Sequence, residues 1–289
     1  MKVSGFTFVR NAIKFDYPVV EAITSILPLC DEVIVCVGNS DDDTLDLVKS
    51  IASDKIKIVP SVWDDKLREG GKVLAVETNK AFDAVAADSD WAFYIQADEV
   101  VHEKYLPMIK QAMEQFKDDK RVEGLLFNYT HFYGSYDYVG ASRGWYRHEI
   151  RIIRNDKNIR SYRDAQGFRK HNKKLNVKLI DACIYHYGYV RPPKFMQAKQ
   201  QNFHSLYHDE QWLDKNVAKS EEFDYSCIDV LARFTGTHPK VIQQRIERKN
   251  WIFEHDLSKN NLKPKEKVLH CIEKFTGKRL FEYKNYKII

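Results

Sequence analysis

Through its first half the chain alternates short apolar runs with amphipathic segments, and this alternation restricts the fold more than any other feature. "KVSGFTFV", "DEVIVCVG", "KIKIVPSV" and "WAFYIQ" read as strands. Between them "PVVEAITSIL", "LDLVKSIA" and "GGKVLAVETNKAFDAVAA" carry helical spacing, with Pro18 near the first turn of the first helix. "EKYLPMIKQAMEQF" adds a helix after the fourth strand. Strands alternating with helices build a parallel sheet with helices on both faces, so an α/β fold is expected.

The texture then changes. "VEGLLFNYTHFY", "HEIRIIRN" and "LIDACIYHYGYV" are strand-like with no long helices between them, which predicts a mixed or antiparallel extension of the sheet. After Pro192 and Pro193 the chain turns polar and helical in "KFMQAKQQNFHSLYH", "PKVIQQRIERKNWIFEHD" and "PKEKVLHCIEKF". A boundary is expected near residue 200, with 201–289 a helical basic extension. From Lys240 onward 13 Lys and Arg face 6 Asp and Glu, so this tail carries the excess behind the net charge of +5. It suits a solvated helix face, or a patch for phosphates, an anionic membrane or nucleic acid.

No apolar run approaches the ~18 residues of a membrane span, and "MKVSGFTFVRN" does not read as a signal peptide. A cytoplasmic protein is expected. Cys30, Cys36, Cys183, Cys227 and Cys271 form no C-x-x-C pair and read as buried thiols. Aromatics at 13% imply either a rich core or sugar-binding and interface surfaces.

Three acidic features fall where strands end, the place where open α/β sheets bind ligands. Asp41, Asp42 and Asp43 follow the second strand, Asp64 and Asp65 the third, Asp98 and Glu99 the fourth. Singly they read as caps, turns and solvated residues. Together they repel unless a positive group sits among them, and a divalent cation on a diphosphate meets that need. Arg10 and Asn11 at the end of the first strand, with Lys72 and Asn79 on the third helix, are candidates for the nucleotide. No G-x-G-x-x-G or Walker loop is present, which argues against dinucleotide and P-loop chemistry.

"FTFVRNA", "DEVIVCVGNSDDDT", "GGKVLAVETNKAF" and above all "FYIQADEVV" resemble the family-two, GT-A-fold nucleotide-sugar glycosyltransferases over roughly residues 3–190. The resemblance implies a GT-A-like, Rossmann-type mixed sheet flanked by helices, with 1–200 as the nucleotide-sugar-binding and catalytic domain. It assigns Asp98 to a Mg²⁺ or Mn²⁺ ion, with His186 of "IYHYGYV" as a further ligand. Asp41 or its neighbour Asp42, and Asp64, then meet the nucleobase. The family's first acid is Gln96 here, whose amide bonds a hydroxyl but brings less negative charge.

Inverting sugar transfer also needs a base for the acceptor hydroxyl. Asp164, after the arginine-bearing strand, is the first candidate and Glu149 the second. Arg147, Arg151 and Arg154 either hold phosphates or pair with nearby acids. The implied partners are a nucleotide-sugar donor and a glycan or lipid-linked glycan acceptor, in surface polysaccharide or lipopolysaccharide synthesis. Peripheral contact with the inner membrane face and a homodimer fit the basic aromatic tail; nucleic acid is not expected. The alternatives are a sugar-nucleotide nucleotidyltransferase and a non-enzymatic basic binding module.

Overall fold

Four parallel strands form one half of the sheet in the computed structural model, which describes residues 1–289 except 65, 68, 217–219, 227, 229, 259 and 260. Asp65 and Cys227 therefore lie outside the described residues. The strands are β1 (Val3–Val9), β2 (Glu32–Gly38), β3 (Ile56–Ser61) and β4 (Trp91–Tyr94), in the order β3-β2-β1-β4. They are joined by α1 (Val19–Ile26), α2 (Thr44–Lys49) and α3 (Lys72–Asp83). Phe6 pairs with Ile34 on one side and Tyr94 on the other. β2 is buried on both faces, which explains its unbroken apolar run. Val33, Val35 and Val37 pack in the core that holds Ile23 of α1. Ile34 and Cys36 pack in the core that holds Phe82 of α3.

β5 (Glu99–Val101) and α4 (Leu106–Phe116) follow. The sheet continues antiparallel through β6 (Gly124–Tyr133), β7 (Tyr138–Gly140) and β8 (His148–Arg154), with β8 inserted between β4 and β6. β9 (Ile159–Tyr162), β10 (Gly167–Lys170) and β11 (Lys173–Lys174) make a separate three-stranded sheet. The 14-residue β12 (Asn176–Tyr189) runs parallel to β6 and antiparallel to β5. The result is an α/β, GT-A-like mixed sheet flanked by helices, as expected.

α5 (Pro193–Ser205) spans residue 200, and α6 (Glu210–Asn216) succeeds it. β13 (Leu231–Arg233) then pairs with β7. α7 (Gln243–Glu247) and α8 (Pro264–Thr276) lead to β14 (Lys287–Ile288), which pairs with β12. The helix expected over "PKVIQQRIERKNWIFEHD" stops at Glu247. Beyond it, the Trp251 indole donates to the Gly134 carbonyl at 2.7 Å and Phe253 packs edge-on to Tyr138. These aromatic contacts outweigh helix propensity, which is worth only tenths of a kcal/mol per residue. Much of the aromatic content is core: Phe132 stacks on Tyr187 at 4.7 Å, and Tyr133, Tyr138 and Tyr225 share a cluster. Among the described residues no helix is long and apolar enough to cross a membrane.

Candidate functional site

The C-terminal ends of β1, β3 and β4 border a cavity of about 390 Å³. Six of the residues singled out in the sequence line it: Arg10, Asn11, Gln96, Asp98, Asp164 and His186. They come from four separate places in the chain, namely the ends of β1 and β4, the turn between β9 and β10, and β12.

The adjacent carboxylates at the end of β4 have opposite fates. Glu99 turns into the protein and is fully buried, contrary to its reading as a solvated residue. Arg151 of β8 grips it with two bonds, Nε to Oε2 at 2.7 Å and Nη2 to Oε1 at 2.5 Å, and the Tyr129 hydroxyl donates to the same Oε1. Glu99 Oε2 also accepts the Gln96 amide at 3.0 Å, which fixes the turn that presents Asp98. A buried charge survives only with such partners.

Asp98 turns into the cavity. Its Oδ2 accepts Lys199 Nζ of α5 at 3.0 Å, and its Oδ1 lies 3.7 Å from His186 Nε2. Burial alone raises a carboxyl's pKa, but the Lys199 ammonium and the Arg191 guanidinium outweigh it, so Asp98 is held well below the usual carboxylate range. Burial and Arg191 push Lys199 down to about 8 against the pull of Asp98. Gly188 makes this approach feasible: a Cβ there lies 2.4 Å from His186 Nε2 and 3.0 Å from Asp98 Oδ2.

Hydrogen-bond accounting orients the histidines. His131 Nε2 lies 3.0 Å from the Tyr146 carbonyl, which only accepts, so Nε2 carries the proton. Burial holds His131 neutral, with its pKa well below the ordinary value, so its Nδ1 is an acceptor. His186 Nδ1, 3.1 Å away, must donate to it. His186 is itself lowered by burial and neutral, which leaves a lone pair on Nε2 facing the Asp98 carboxylate.

Two lone-pair donors facing each other suit a shared cation. A neutral imidazole and a carboxylate fit Mn²⁺ or Mg²⁺ when phosphate oxygens and water complete the shell. Among the described residues no cluster of three or more His, Cys, Asp or Glu could hold a metal. A metal at this place would find two candidate ligands from the protein, Asp98 and His186, with Gln96 where a second acid is expected.

Asp164 accepts the Tyr207 hydroxyl at 3.2 Å. Glu149 lies instead in an adjoining cavity of about 450 Å³ that shares Gly144, Trp145, Tyr146 and Gln166 with the first. Burial pushes the Glu149 carboxyl up to about 8, partly offset by Arg151.

The remaining candidates stand outside the cavity lining. Asp41 is exposed and paired with the Lys14 ammonium, whose hydrogen bond lowers its pKa. Asp42 accepts the Lys14 amide at 2.8 Å and the Thr44 amide at 3.0 Å, so it braces the turn that leads into α2. Asp64 accepts the Lys66 amide at 3.0 Å. Lys72 heads α3, and Asn79 Oδ1 accepts the Ser161 amide at 2.9 Å, tying α3 to β9. Even Asn11, at the cavity, uses Oδ1 to accept the Asp41 amide at 2.9 Å. Arg147 pairs with Glu282 at 2.8 Å, and Arg154 donates to the carbonyls that end α4.

Sequence reasoning missed Trp63, Lys199, His131 and Tyr207, all of which line the cavity. Trp63 is buried with its ring 5.8 Å from Phe8 and 5.5 Å from the Arg10 guanidinium. It covers Gly38, where a Cβ lies 2.4 Å from the indole nitrogen. "GNS" at the end of β2 and "VW" at the end of β3 were the available signals.

No protein-family model matches the chain, and no curated protein matches it. Solved structures do. S. aureus TarS aligns with 76% of this chain and 41% of its own, at 15% identity and a TM-score of 0.39. This chain thus spans less than half the length of that protein. Glucosyl-3-phosphoglycerate synthase from Mycobacterium tuberculosis, in complex with Mn²⁺, uridine diphosphate and phosphoglyceric acid, aligns over 45% of this chain and 43% of its own, with 16% identity and TM-score 0.31. 4-Diphosphocytidyl-2C-methyl-D-erythritol synthase from Anaerococcus prevotii covers 53% of this chain and 70% of its own, at 11% identity and TM-score 0.34.

Proposed function

We propose that the chain is a glycosyltransferase that moves a sugar from a nucleoside diphosphate sugar to a hydroxyl of a glycan acceptor, with inversion at the anomeric carbon. The observation that carries this reading is the convergence of Asp98, His186 and Asp164 on one cavity at the strand ends. Asp98 and His186 would hold Mg²⁺ or Mn²⁺, which supplies charge stabilisation to the leaving diphosphate. Phe8, Trp63 and Arg10 offer a flat face and a cation for the nucleobase end.

Asp164 is the proposed base. It takes the acceptor's hydroxyl proton while that oxygen bonds to the anomeric carbon and the bond to the diphosphate oxygen breaks. The Tyr207 hydroxyl positions it. Glu149, held protonated at neutral pH, takes no proton there. The adjoining cavity, which shares a wall with the first, suits the acceptor. Residues 1–200 are proposed as the donor-binding and catalytic unit and 201–289 as its extension. In that extension Phe275, Phe281 and Tyr283 are exposed near Lys274, Lys278 and Lys284, which supports contact with an anionic membrane carrying a lipid-linked acceptor of surface glycan synthesis, from the cytoplasmic side.

A thermal-shift panel of nucleotide sugars with and without Mn²⁺ tests the reading. One donor is expected to stabilise the protein in a Mn²⁺-dependent manner, by about 2.7 kcal/mol at a hundredfold excess over its Kd. Asp98→Ala is expected to abolish the response. A wild-type protein blind to every donor overturns the proposal.

A further inference from the structure

The cavity floor carries more positive charge than the protein neutralises. Lys199 has its ammonium on Asp98 Oδ2 at 3.0 Å and on the Gly188 carbonyl at 2.8 Å. An ammonium has three donors, so one is left for the cavity that Lys199 lines. Arg191 is fully buried. Its Nη1 donates to the Phe15 carbonyl, while Nε and Nη2 have no hydrogen-bond partner among the described residues. Both cations lie against the Tyr17 ring, the Arg191 guanidinium carbon at 5.0 Å and Lys199 Nζ at 5.2 Å. Phe15 and Tyr17 line the same cavity. Lys199 pairs with Asp98 and the buried Arg191 acts on the same carboxylate through space, because the neighbouring Glu99 is already consumed by Arg151.

An uncompensated buried cation with unfilled donors is costly, and an anion relieves it. The Lys199 ammonium sits on Asp98 Oδ2, beside the Oδ1 that faces His186, so its charge opposes a bare cation held between that carboxylate and the ring. We propose that Lys199, backed by Arg191, is a diphosphate-binding residue that neutralises Asp98 in the free protein and passes to the diphosphate when a metal–nucleotide binds. Lys199 then opposes bare metal and favours metal accompanied by diphosphate, so it couples the two ligands. This inference rests on the proposed nucleotide-sugar site and adds to it residues from α5 and the segment before it.

The experiment measures Mn²⁺ binding to the full chain by calorimetry or by the spin resonance of free Mn²⁺, alone and with saturating UDP, GDP, ADP or CDP. Wild type is expected to bind Mn²⁺ alone weakly, and at least tenfold more tightly with one of the nucleotides. Lys199→Met is expected to bind Mn²⁺ alone at least tenfold better than wild type and to lose most of the nucleotide enhancement. Lys199→Arg keeps the charge and is expected to retain it. Lys199→Gln serves as a second neutral variant should the methionine protein fail to fold, with circular dichroism as the check. Unchanged Mn²⁺ affinity and unchanged enhancement in a folded neutral variant overturn this inference and leave the nucleotide site standing. Absence of nucleotide binding in every protein, with and without Mn²⁺, overturns both.

Discussion

Glu99 and Arg151 meet with neither side chain reaching solvent, held by bonds of 2.5 and 2.7 Å. The pair fixes the turn between β4 and β5 through the Gln96 amide. Removing one partner strands a buried charge, which costs about 3–5 kcal/mol. Arg151→Met and Glu99→Leu are each expected to lower the urea midpoint accordingly. The double variant is expected to be less destabilised than the sum of the two. Strict additivity would show that the residues do not act as a pair.

Gly188→Ala places a methyl group 2.4 Å from His186 Nε2 and 3.0 Å from Asp98 Oδ2. Either the ring or the carboxylate must shift. Nucleotide-dependent Mn²⁺ binding is expected to weaken at least tenfold, while the melting temperature falls by only a few degrees. A variant with wild-type Mn²⁺ and nucleotide affinity would show that this contact does not shape the site.

The pH dependence follows from Glu149. Its carboxyl titrates near 8 in the folded protein, raised first by burial, and near the ordinary 4.5 when unfolded. Between those values the folded state binds more protons than the unfolded state. Stability is therefore lost as pH rises from about 4.5 to about 8, with a slope of at most about 1.4 kcal/mol per pH unit from this group. Glu149→Gln removes that term. Its urea midpoint is expected to fall less over this range, and its advantage over wild type to grow toward pH 8. Parallel curves for the two proteins would contradict the assignment.

Asp164→Asn keeps the shape of the side chain and the contact with Tyr207 while removing the base. Donor binding is expected to persist in the thermal-shift panel. Turnover, followed as nucleoside diphosphate release with acceptor present, is expected to fall by ~10²–10⁴. Tyr207→Phe should cost less, because it removes a positioning bond and leaves the carboxylate. Intact turnover in Asp164→Asn moves the base elsewhere.

The parallel half of the sheet was legible because β2 and β4 are buried on both faces and so spell nearly continuous apolar runs. Asp98, His186 and Asp164 were legible as chemical residue types at the ends of strands or just after them. The three-stranded sheet of β9, β10 and β11 was not, since "SYRDAQGFRKHNKK" has almost no apolar content to mark it. Glu99 read as solvated because its partner, Arg151, lies 52 residues away and nothing local announces it. Lys199 was harder still. A lysine among the glutamines of "MQAKQQNF" resembles any surface lysine of an amphipathic helix, and only the docking of α5 against the strand ends buries it. The acids at the end of β2 were conspicuous for a different reason, since Asp42 holds the turn before α2 and Asp41 answers Lys14.

The contact between Asp98 and Lys199 spans 101 residues of chain and fastens one helix to the rim of the sheet. The parallel strands precede α5 in the chain, so the partner that covers Asp98 comes from a much later segment. In the finished protein α5 becomes the piece whose opening exposes the floor, and its amide protons should exchange with deuterium faster than those of β2. A ligand touching both the rim and the helix would slow that exchange along α5, giving a clock for occupancy that needs no turnover at all.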